Sequence, residues 1–540
     1  MPSPSTAYRH AGYRATGLWS DETVADLLVR RAAEHPDREL FVFEGRRVTY
    51  GEFEAWTAAV AADLVARGVA PGDRVLVQLP NRLEALVLQI AAFRAGAVDV
   101  PVIPIYREHE MRQILADCRP AALCSVTRLG ERRPTEELDA LAAEIGLEPT
   151  VRYAADEPAG AWLPVPGPGA GTPSLPPSRP VDEPCLLLYT SGTTSAPKGV
   201  LLTTQALVAH LRSFRVALGA GEHTTTLAAT PLSHLGGFIA AVVFPVHLGG
   251  RSVVMAGWKP DEAVELITTE RVTLMMGATV FLSDLVDRYA RGAGDGYRLD
   301  VYACAGASIP PAVIDRAAEV GVRAVRAYGM TETAGVCAIA SGDDPLHRRR
   351  EWDGRLIPGM EIEVVDEARE VLAPGEVGEL RLRTPQLLER YTDPQVTAMQ
   401  FDAEGWFYPG DVGRVDAEGW VQVLGRTKDI VNRGGEKFST GDIEAALASH
   451  PAVQRAAVTA VRDDRLGEAV GAWVVLADAA SWSEAKPLVE HLEELRLARP
   501  KIPVEWHVVP EIPTTAIGKV QKHRLAELDD LHTWDTRESR

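Results

Sequence analysis

The sequence predicts an α/β fold: a large N-terminal domain of layered, mostly parallel sheets with flanking helices, and a small α+β C-terminal domain. Three observations predict it. The first third of the chain alternates helix-like and strand-like segments, and strands separated by helices of this length form mostly parallel sheets covered by helices. A Pro- and Gly-rich stretch over residues 156–184 interrupts this pattern. Near Leu424 the pattern changes again, and shorter strands alternate with helices up to about residue 529.

The elements of the first third follow from the spacing of apolar residues and from capping residues. Residues 24–35 have apolar side chains at helical spacing, and Thr49 with Glu52 forms a capping-box pattern before a helix over 53–66. The elements predicted after them, from short apolar runs and helical periodicity, are a strand over 74–79, a helix over 82–95 and a buried strand over 98–105.

The later elements are a surface connector and the strands of the C-terminal domain. Residues 156–184 are predicted to form the connector, because runs of Pro and Gly such as 164–169 support little regular structure. The G-x-G-x-G pattern at 167–171 is not a dinucleotide-binding fingerprint, since no strand precedes it and no helix follows. The strands predicted in the C-terminal domain are 456–461, 470–476 and 504–509.

Composition excludes several classes of protein. The chain has 540 residues, of which 46% are apolar and 24% charged, so it is neither disordered nor collagen-like. Its 56 Lys and Arg against 75 Asp and Glu give a net charge of −19. That charge argues against a protein that coats nucleic acid or an anionic membrane surface. A few focused cationic side chains are still sufficient to bind a small polyanion.

Cysteine usage and the N-terminus predict a cytoplasmic protein. The five Cys residues include no C-x-x-C pair, so buried thiols in a reducing compartment are expected, and a disulfide framework or a zinc site is not. Residues 1–14 contain no apolar signal-peptide core, and the longest strongly apolar run, 235–246, is too short to cross a bilayer.

The most informative segment lies between two apolar strands and reads Tyr-Thr-Ser-Gly-Thr-Thr-Ser-Ala-Pro-Lys-Gly-Val over 189–200. Small residues let backbone N–H groups approach a polyanion, the hydroxyl groups donate further hydrogen bonds, and Lys198 neutralises charge. The alternative is an ordinary surface loop rich in Ser, Thr and Gly.

The order of residues in this segment resembles the phosphate loop of the adenylate-forming (AMP-binding) superfamily, which includes acyl-CoA synthetases, peptide-synthetase adenylation domains and luciferases. Further segments match motifs of that superfamily in its order: 305–308, 328–333, 410–411, 425–429 with 434–436, and 513–519. The resemblance spans nearly the whole chain, which is identified as a member of the acyl-CoA synthetase, or acid–CoA ligase, branch. It implies a large domain over 1–425 with a small β-rich subdomain, a hinge at 426–428 and a mobile domain over 429–540.

The resemblance also implies an ATP site. In the family, the position of Tyr328 stacks near adenine, those of Asp411 and Arg426 bind the ribose, and that of Glu332 binds Mg²⁺. The ATP-binding residues implied are Thr190, Ser191, Gly192, Thr193, Thr194, Lys198, Gly306, Ala307, Tyr328, Gly329, Thr331, Asp411 and Arg426. The catalytic residues implied are Lys198, Thr331, Glu332 and Lys519. Two positions depart from the family pattern, Ser195 in place of Gly and Pro409 in place of a hydroxyl residue, and we expect them to tune activity only.

Two half-reactions are implied. Lys519 contacts the carboxylate and the α-phosphate while acyl-adenylate and pyrophosphate form; the small domain then rotates about Lys428, and Gly434 and Gly435 line a tunnel for the thiol of CoA. An acyl carrier protein is the alternative acceptor, although the interval 333–375 shows no insertion of the kind that obstructs rotation. The sequence is also compatible with a silent nucleotide-binding scaffold, with a luciferase-like oxygenase and with assembly as a homodimer.

The acid pocket is implied by the segment 231–238 and by residues after later strands. Its members are His234, Gly236, Gly237, Phe238, Gly277, Ala278, Cys304, Gly329, Met330, Ala334 and Gly335. Leu235 stands where amino-acid-activating domains place an Asp, which disfavours an amino acid substrate. Small wall residues without a fixed positive charge favour a bulky, mostly apolar acid, either alicyclic, polycyclic or aryl. The alternatives are that a neighbouring Met or Phe238 fills this space, and that His234 is a buried, hydrogen-bonded His without a role.

Overall fold

The computed structural model describes residues 12–169, 175, 180–190, 198–305, 309–426, 430–433, 436–463, 467–479, 482–495, 497, 499–514 and 520–536. Contacts group the chain into a first unit, Met1–Ile362 with Leu382–Phe407, and a second unit, Glu363–Arg381 with Tyr408–Arg540. The fold is α/β, with a large N-terminal domain of mixed sheets and helices and a smaller C-terminal domain, as the sequence predicts. The boundaries predicted at residues 425 and 429 separate the large domain from the part of the chain that is expected to rotate, and they stay a prediction.

Capping residues and apolar faces set the helices of the first unit. In α3, Glu52 N–H donates to Thr49 Oγ1 at 3.1 Å and Thr49 N–H donates to Glu52 Oε2 at 2.8 Å, so the predicted capping box forms. The helices are α1 Gly12–Ala15, α2 Val24–Glu34, α3 Tyr50–Ala66, α4 Leu83–Arg94, α5 Glu108–Cys118, α6 Pro134–Glu144, α7 Thr204–Leu218, α8 Leu235–Phe238, a π-helical turn Ile239–Val243, α9 Phe244–Leu248, α10 Pro260–Thr269, α11 Thr279–Ala290, α12 Pro311–Glu319, α13 Leu346–Glu351 and α14 Pro394–Gln400.

One sheet of the first unit has a parallel centre and antiparallel ends. In spatial order, the strands that this unit contributes to the sheet are β16 Gly354–Leu356, β15 Gly335–Ile339, β14 Arg323–Met330, β13 Val301–Cys304, β12 Leu274–Gly277, β10 Thr225–Ala228, β11 Arg251–Val254, β1 Glu39–Phe43 and β2 Arg46–Thr49. Strands β14 to β1 are parallel, and the pairs β14–β15, β15–β16 and β1–β2 are antiparallel. Apolar side chains such as Met275 and Tyr302 pack this sheet against helices.

A second sheet of the first unit contains the two strands that flank residues 191–197 of the predicted phosphate segment. In spatial order its strands are β19 Arg390–Tyr391, β9 Lys198–Thr203, β8 Pro184–Thr190, β4 Val98–Pro101, β3 Arg74–Val77, β5 Ala122–Ser125, β6 Val151–Ala154 and β7 Leu163–Pro164. The pairs β8–β9 and β9–β19 are antiparallel and the others are parallel.

In its described residues, the second unit combines short strands and two long strands with two α-helices. Its elements, together with strands that begin or end at its limits, are β17 Glu361–Val365, β18 Gly378–Arg383, β20 Asp411–Val415, β21 Trp420–Arg426, β22 Ile430–Arg433, β23 Glu436–Ser439, α15 Thr440–Ala448, β24 Val453–Asp463, β25 Gly467–Leu476, α16 Lys486–Glu494, β26 Glu505–Val508 and β27 His532–Asp535. Trp506 and Leu488 lie in its core.

The structure confirms the predicted elements with changes at their ends. Helix α2 ends one residue earlier than predicted, and the strand expected over 98–105 stops at Pro101, because proline has no N–H for the ladder. The connector contains the short strand β7, and Trp56 Nε1–H donates to Pro166 O at 2.7 Å. The five Cys residues are free and buried, as predicted.

Candidate active site

Several predicted pocket residues lie at one edge of the first sheet. Strands β10, β12, β13 and β14 are adjacent and parallel, so their carboxyl ends meet at the same edge, where open α/β sheets bind ligands. Gly277 at the end of β12 lies opposite Cys304 at the end of β13. Ala278 follows Gly277 directly, and His234 lies on the segment that follows β10. The sheet therefore brings together residues that the sequence separates by long intervals.

Glu332 lies in a tight turn between β14 and β15. The turn is a 3₁₀ helix, Thr331–Thr333, and Ala334 after it has a positive φ of 50°. Thr333 Oγ1–H lies within hydrogen-bond distance of Met330 O at 3.1 Å and of Gly335 O at 2.8 Å, which holds the two strands together at the turn. Tyr328 is buried on β14, opposite Ala338.

The Glu332 carboxylate is held on one side. Tyr391 Oη–H donates to Glu332 Oε1 at 3.0 Å, and Leu388 N–H donates to the Glu332 carbonyl at 2.6 Å. Within the described part of the chain, Tyr391 is the only hydrogen-bond partner of the Glu332 side chain, which is half-buried. Acceptor capacity therefore remains for a cation. Protein sites for Mg²⁺ use one or two carboxylates together with phosphate oxygens. The Glu332 carboxylate is therefore a suitable ligand for Mg²⁺.

Thr190 and Lys198 are brought together by the β8–β9 hairpin. They are opposite each other in the antiparallel ladder, and Thr190 Oγ1–H approaches Lys198 O at 3.5 Å. Lys198 is half-buried, and no acidic side chain pairs with it among the described residues. Just before the loop, Tyr189 Oη–H donates to Asp117 Oδ2 at 2.6 Å, and burial raises the pKa of Tyr189. The tyrosine is thus a neutral donor that anchors the end of β8.

Asp411 and Arg426, the two predicted ribose-binding residues, are neighbours in the second unit. They are paired across β20 and β21, and Arg426 Nε lies 3.2 Å from Asp411 Oδ1. The Asp411 side chain is 7% exposed, whereas that of Arg426 is 42% exposed. One strand pair thus presents a fixed carboxylate beside an accessible guanidinium.

Gly236 and Gly237 differ in the space around them. A Cβ on Gly237 would lie 2.1 Å from Pro231 O, whereas the nearest atom to a Cβ on Gly236 is His234 Nδ1 at 3.7 Å. Gly237 is therefore required for the packing of the segment, and Gly236 has room for a methyl group. Phe238 is fully buried.

His234 caps helix α8. Its Nδ1 accepts from Gly236 N–H at 3.3 Å, which places the ring proton of the neutral imidazole on Nε2. Burial lowers the pKa of His234, so the ring is neutral at neutral pH. A buried, hydrogen-bonded His was one of the two interpretations of this residue; the hydrogen bond is present, and its role toward an acid stays a prediction.

The other small residues of the predicted pocket are closely packed by neighbours. A Cβ on Gly277 would lie 2.7 Å from Tyr302 Oη, which itself donates to Ala278 O at 2.9 Å. A Cβ on Gly329 would lie 2.3 Å from Gly335 O. Cys304 and Ala334 are fully buried and Met330 is half-buried. The absence of a side chain at Gly277 and Gly329 is therefore explained by close packing, whether or not these residues face an acid.

Sequence reasoning missed two side chains that touch this set. One is Tyr391, which binds Glu332. The other is His210 on α7, whose Nε2 would lie 2.6 Å from a Cβ on Gly335 and whose pKa is lowered to about 4 by burial. Neither residue belongs to a motif with a recognisable spacing, so the sequence contains no local signal for them.

The remaining predicted site residues lie outside the described residues: Ser191, Gly192, Thr193, Thr194, Gly306, Ala307, Lys428, Gly434, Gly435 and Lys519. Among the residues that are described, no group of three or more His, Cys, Asp and Glu side chains could hold a metal ion. In the same described residues, none of the helices has the length and apolarity needed to cross a bilayer.

The first unit is an α/β fold in which a hairpin leads to Lys198 and a tight turn presents the Glu332 carboxylate, and the second unit contains the Asp411–Arg426 pair. The family model of AMP-binding enzymes matches residues 28–392, and that of their C-terminal domain matches 442–519. The chain belongs to this family of adenylate-forming enzymes and is an AMP-forming ligase of the acyl-CoA synthetase type.

Three similar proteins place the chain among acid-activating enzymes. It is 34% identical to the medium-chain fatty-acid–CoA ligase of Escherichia coli over 96% of this chain and 92% of that protein. It is 32% identical to a feruloyl-CoA synthase of an Amycolatopsis species, over 92% and 96%. The o-succinylbenzoate CoA synthetase of Bacillus subtilis, solved with its acyl-adenylate intermediate, superposes with a TM-score of 0.81 at 25% identity, over 95% of this chain and 99% of that one.

Proposed function

We propose that the protein is an ATP- and Mg²⁺-dependent acid–CoA ligase for a bulky, mostly apolar carboxylic acid. The acid is activated as acyl-AMP with release of pyrophosphate, and the acyl group then passes to the thiol of CoA. One observation carries the proposal: the segment 388–392 hydrogen-bonds both to the turn of Glu332 and to the strand that begins at Lys198. The same segment thus connects the backbone of Glu332, whose carboxylate is suited to a cation, with the strand of Lys198, whose ammonium group is suited to phosphates.

The proposed chemistry of the first half-reaction is positioning and charge neutralisation. ATP has about four negative charges, and the attacking carboxylate is itself an anion. The loop 191–198 binds the β- and γ-phosphates, and Asp411 and Arg426 bind the ribose. Mg²⁺, when bound, neutralises phosphate oxygens, and Glu332 is its protein ligand. Lys519 contacts the carboxylate and α-phosphate oxygens.

The second half-reaction in this proposal requires the small domain to rotate about Lys428. Rotation removes Lys519 from the adenylate and brings Gly434 and Gly435 beside the thiol, where small residues leave room for pantetheine. The five free, buried thiols support a reducing, cytoplasmic setting for this chemistry.

The absence of charge among the described pocket residues supports an apolar acid. His234 is neutral at neutral pH because burial lowers its pKa, and the next residue, Leu235, supplies no counter-charge for an ammonium group. A second carboxylate or an amino group on the acid would be buried without a partner, which is costly. Relatives that act on medium-chain fatty acids and on ferulic acid are consistent with an aliphatic or aryl acid.

The experiment that tests this proposal is acid-dependent ATP–pyrophosphate exchange across a library of carboxylates, followed by detection of the CoA thioester. Exchange with alicyclic, polycyclic or aryl acids, and little with acetate or amino acids, is expected. If none of the acids in the library supports exchange, the ligase proposal is overturned. Exchange without a CoA thioester, but with acylation of a carrier protein, would replace CoA by a carrier-protein thiol as acceptor.

A further inference from the structure

The segment 388–392, here called the bridge, connects two parts of the first unit. Leu388 N–H donates to the carbonyl of Glu332 at 2.6 Å, Glu389 N–H to Leu201 O at 2.8 Å, and Thr392 N–H to Gly199 O at 2.8 Å. The bridge therefore begins at the turn that presents Glu332 and ends beside the residue that follows Lys198.

Close packing fixes the bridge against strand β9. A Cβ on Gly199 would lie 2.7 Å from Thr392 Cγ2 and 2.8 Å from Thr392 Oγ1, a distance that real Cβ atoms do not occupy. Tyr391 N–H donates to Thr397 Oγ1 at 3.0 Å, which ties the bridge to helix α14 as well. The backbone around Tyr391 is thus held on several sides.

The side chain of Tyr391 is 4% exposed and ends at Glu332. Its hydroxyl donates to Glu332 Oε1 at 3.0 Å. A free Glu side chain samples several rotamers, and ordering it for a ligand costs conformational entropy. A rigid phenol that binds one carboxylate oxygen selects one rotamer in advance and leaves the second oxygen for another ligand.

We propose that Tyr391 is a positioning residue that pre-orders the Glu332 carboxylate for its cation, and so couples the cation to the strand of Lys198. This inference rests on the proposed role of Glu332 as the protein ligand of Mg²⁺. It assigns a role to a residue outside the motifs of the ATP site, and it acts on the binding of MgATP and not on binding of the acid.

The test is the affinity of Tyr391→Phe for ATP, measured by isothermal titration calorimetry in excess Mg²⁺ and again in EDTA. Loss of the hydroxyl should weaken binding of MgATP by about 3- to 10-fold, as expected when the net contribution of one typical hydrogen bond is lost. Binding of ATP in EDTA should equal that of the wild type. The Mg²⁺ concentration for half-maximal exchange should rise, while the KM for the acid stays unchanged.

Tyr50→Phe is the matched control. Tyr50 is fully buried, and its hydroxyl donates to Gly250 O at 2.7 Å, away from the bridge. This variant should lose stability to a similar degree without any change in Mg²⁺ dependence. In a Glu332→Ala background, which removes the acceptor, Tyr391→Phe should have no further effect on MgATP binding.

Three results would overturn the inference: equal weakening of ATP binding with and without Mg²⁺, an unchanged Mg²⁺ dependence in folded Tyr391→Phe, or a full effect in the Glu332→Ala background. Circular dichroism and thermal melting establish that each variant is folded. If the wild type binds MgATP as described but no acid supports exchange, the proposed function fails and the positioning role survives, so the two failures are distinguishable.

Discussion

Two lysines near the C-terminus are expected to have different tasks. Lys522 is held by Glu444, at 2.8 Å from Oε1, and by Thr440, at 2.6 Å from Oγ1, so it is already neutralised. Lys519 matches the catalytic-lysine motif and is the predicted contact of the α-phosphate. Lys519→Ala should lower acid-dependent ATP–pyrophosphate exchange by about 10²-fold, the loss expected for one oxyanion contact. Conversion of synthetic acyl-adenylate to thioester should stay within a few-fold of the wild type.

Lys522→Ala is the control for this prediction. It removes a half-buried ion pair of the second unit, so both half-reactions should fall together with the melting temperature. Equal loss of both half-reactions in folded Lys519→Ala would contradict the assignment of Lys519 to adenylation alone.

His247 should make the protein sensitive to acid. The side chain is 8% exposed, and burial together with Arg215, Arg212, Arg31 and Arg30 lowers its pKa to about 4. Its folded pKa lies below the unfolded value near 6.5, so its stabilising contribution is complete above pH 6.5 and is lost as the pH falls toward 4. Between pH 7 and pH 5 this loss is about 2 kcal/mol.

His247→Gln should therefore flatten the dependence of the free energy of unfolding on pH, measured by urea denaturation at pH 7, 6 and 5. His210, with its pKa also lowered to about 4, and Asp99, whose pKa burial raises, contribute equally in wild type and variant and cancel in the comparison. A slope for His247→Gln equal to that of the wild type would show that folding does not lower the pKa of this imidazole.

At the scale of elements, the sequence predicts what depends on neighbours in the chain. The capping box of Thr49 and Glu52 and the periodicity of α2 and α4 are local, and the structure confirms them. The end of β4 at Pro101 was also predictable, because proline lacks an N–H. By contrast, Tyr391 is 59 residues from Glu332, and long-range contacts bring them together, among them the pairing of β19 with β9 and the hydrogen bond from Leu388 N–H to the Glu332 carbonyl. No local pattern encodes such a contact.

The predicted pocket wall illustrates the same limit. A run of small residues is compatible with an open pocket and with close packing, and sequence alone does not separate the two. The hydroxyl of Tyr302 occupies the space at Gly277, and the imidazole of His210 that at Gly335. Packing therefore explains these glycines without an acid, and Gly236 is the wall position with room beside it.

Gly236 and Gly237 offer a matched pair of substitutions on helix α8. Gly237→Ala places a Cβ 2.1 Å from Pro231 O, and a clash with backbone cannot be relieved by a rotamer change. This variant should lower the melting temperature by several degrees and reduce exchange with every acid. Gly236→Ala meets its nearest atom at 3.7 Å and should fold normally, with exchange reduced for the bulkiest acids only. Normal stability of Gly237→Ala, or an equal loss for small and bulky acids in Gly236→Ala, would contradict this view of the wall.

At the scale of the whole molecule, a net charge of −19 is compatible with binding of ATP. A few cationic side chains at the right positions are sufficient to bind this polyanion. Lys198 has no acidic partner among the described residues, whereas Lys522 is paired with Glu444. Arg426 keeps 42% of its side chain exposed beside Asp411. Focused cations of this kind bind a polyanion without a basic surface.

The two half-reactions should be separable by restricting the hinge. Proline fixes φ near −65° and removes an N–H, so Lys428→Pro should hold the small domain in one arrangement if that residue is the pivot of rotation. One half-reaction should then fall by about tenfold or more, while the other stays within a few-fold, because each needs a different arrangement. Exchange and the conversion of synthetic acyl-adenylate to thioester measure the two halves. Lys428→Ala removes the same side chain but keeps backbone freedom, so it should preserve both. Equal behaviour of the Pro and Ala variants would place the pivot elsewhere in the chain.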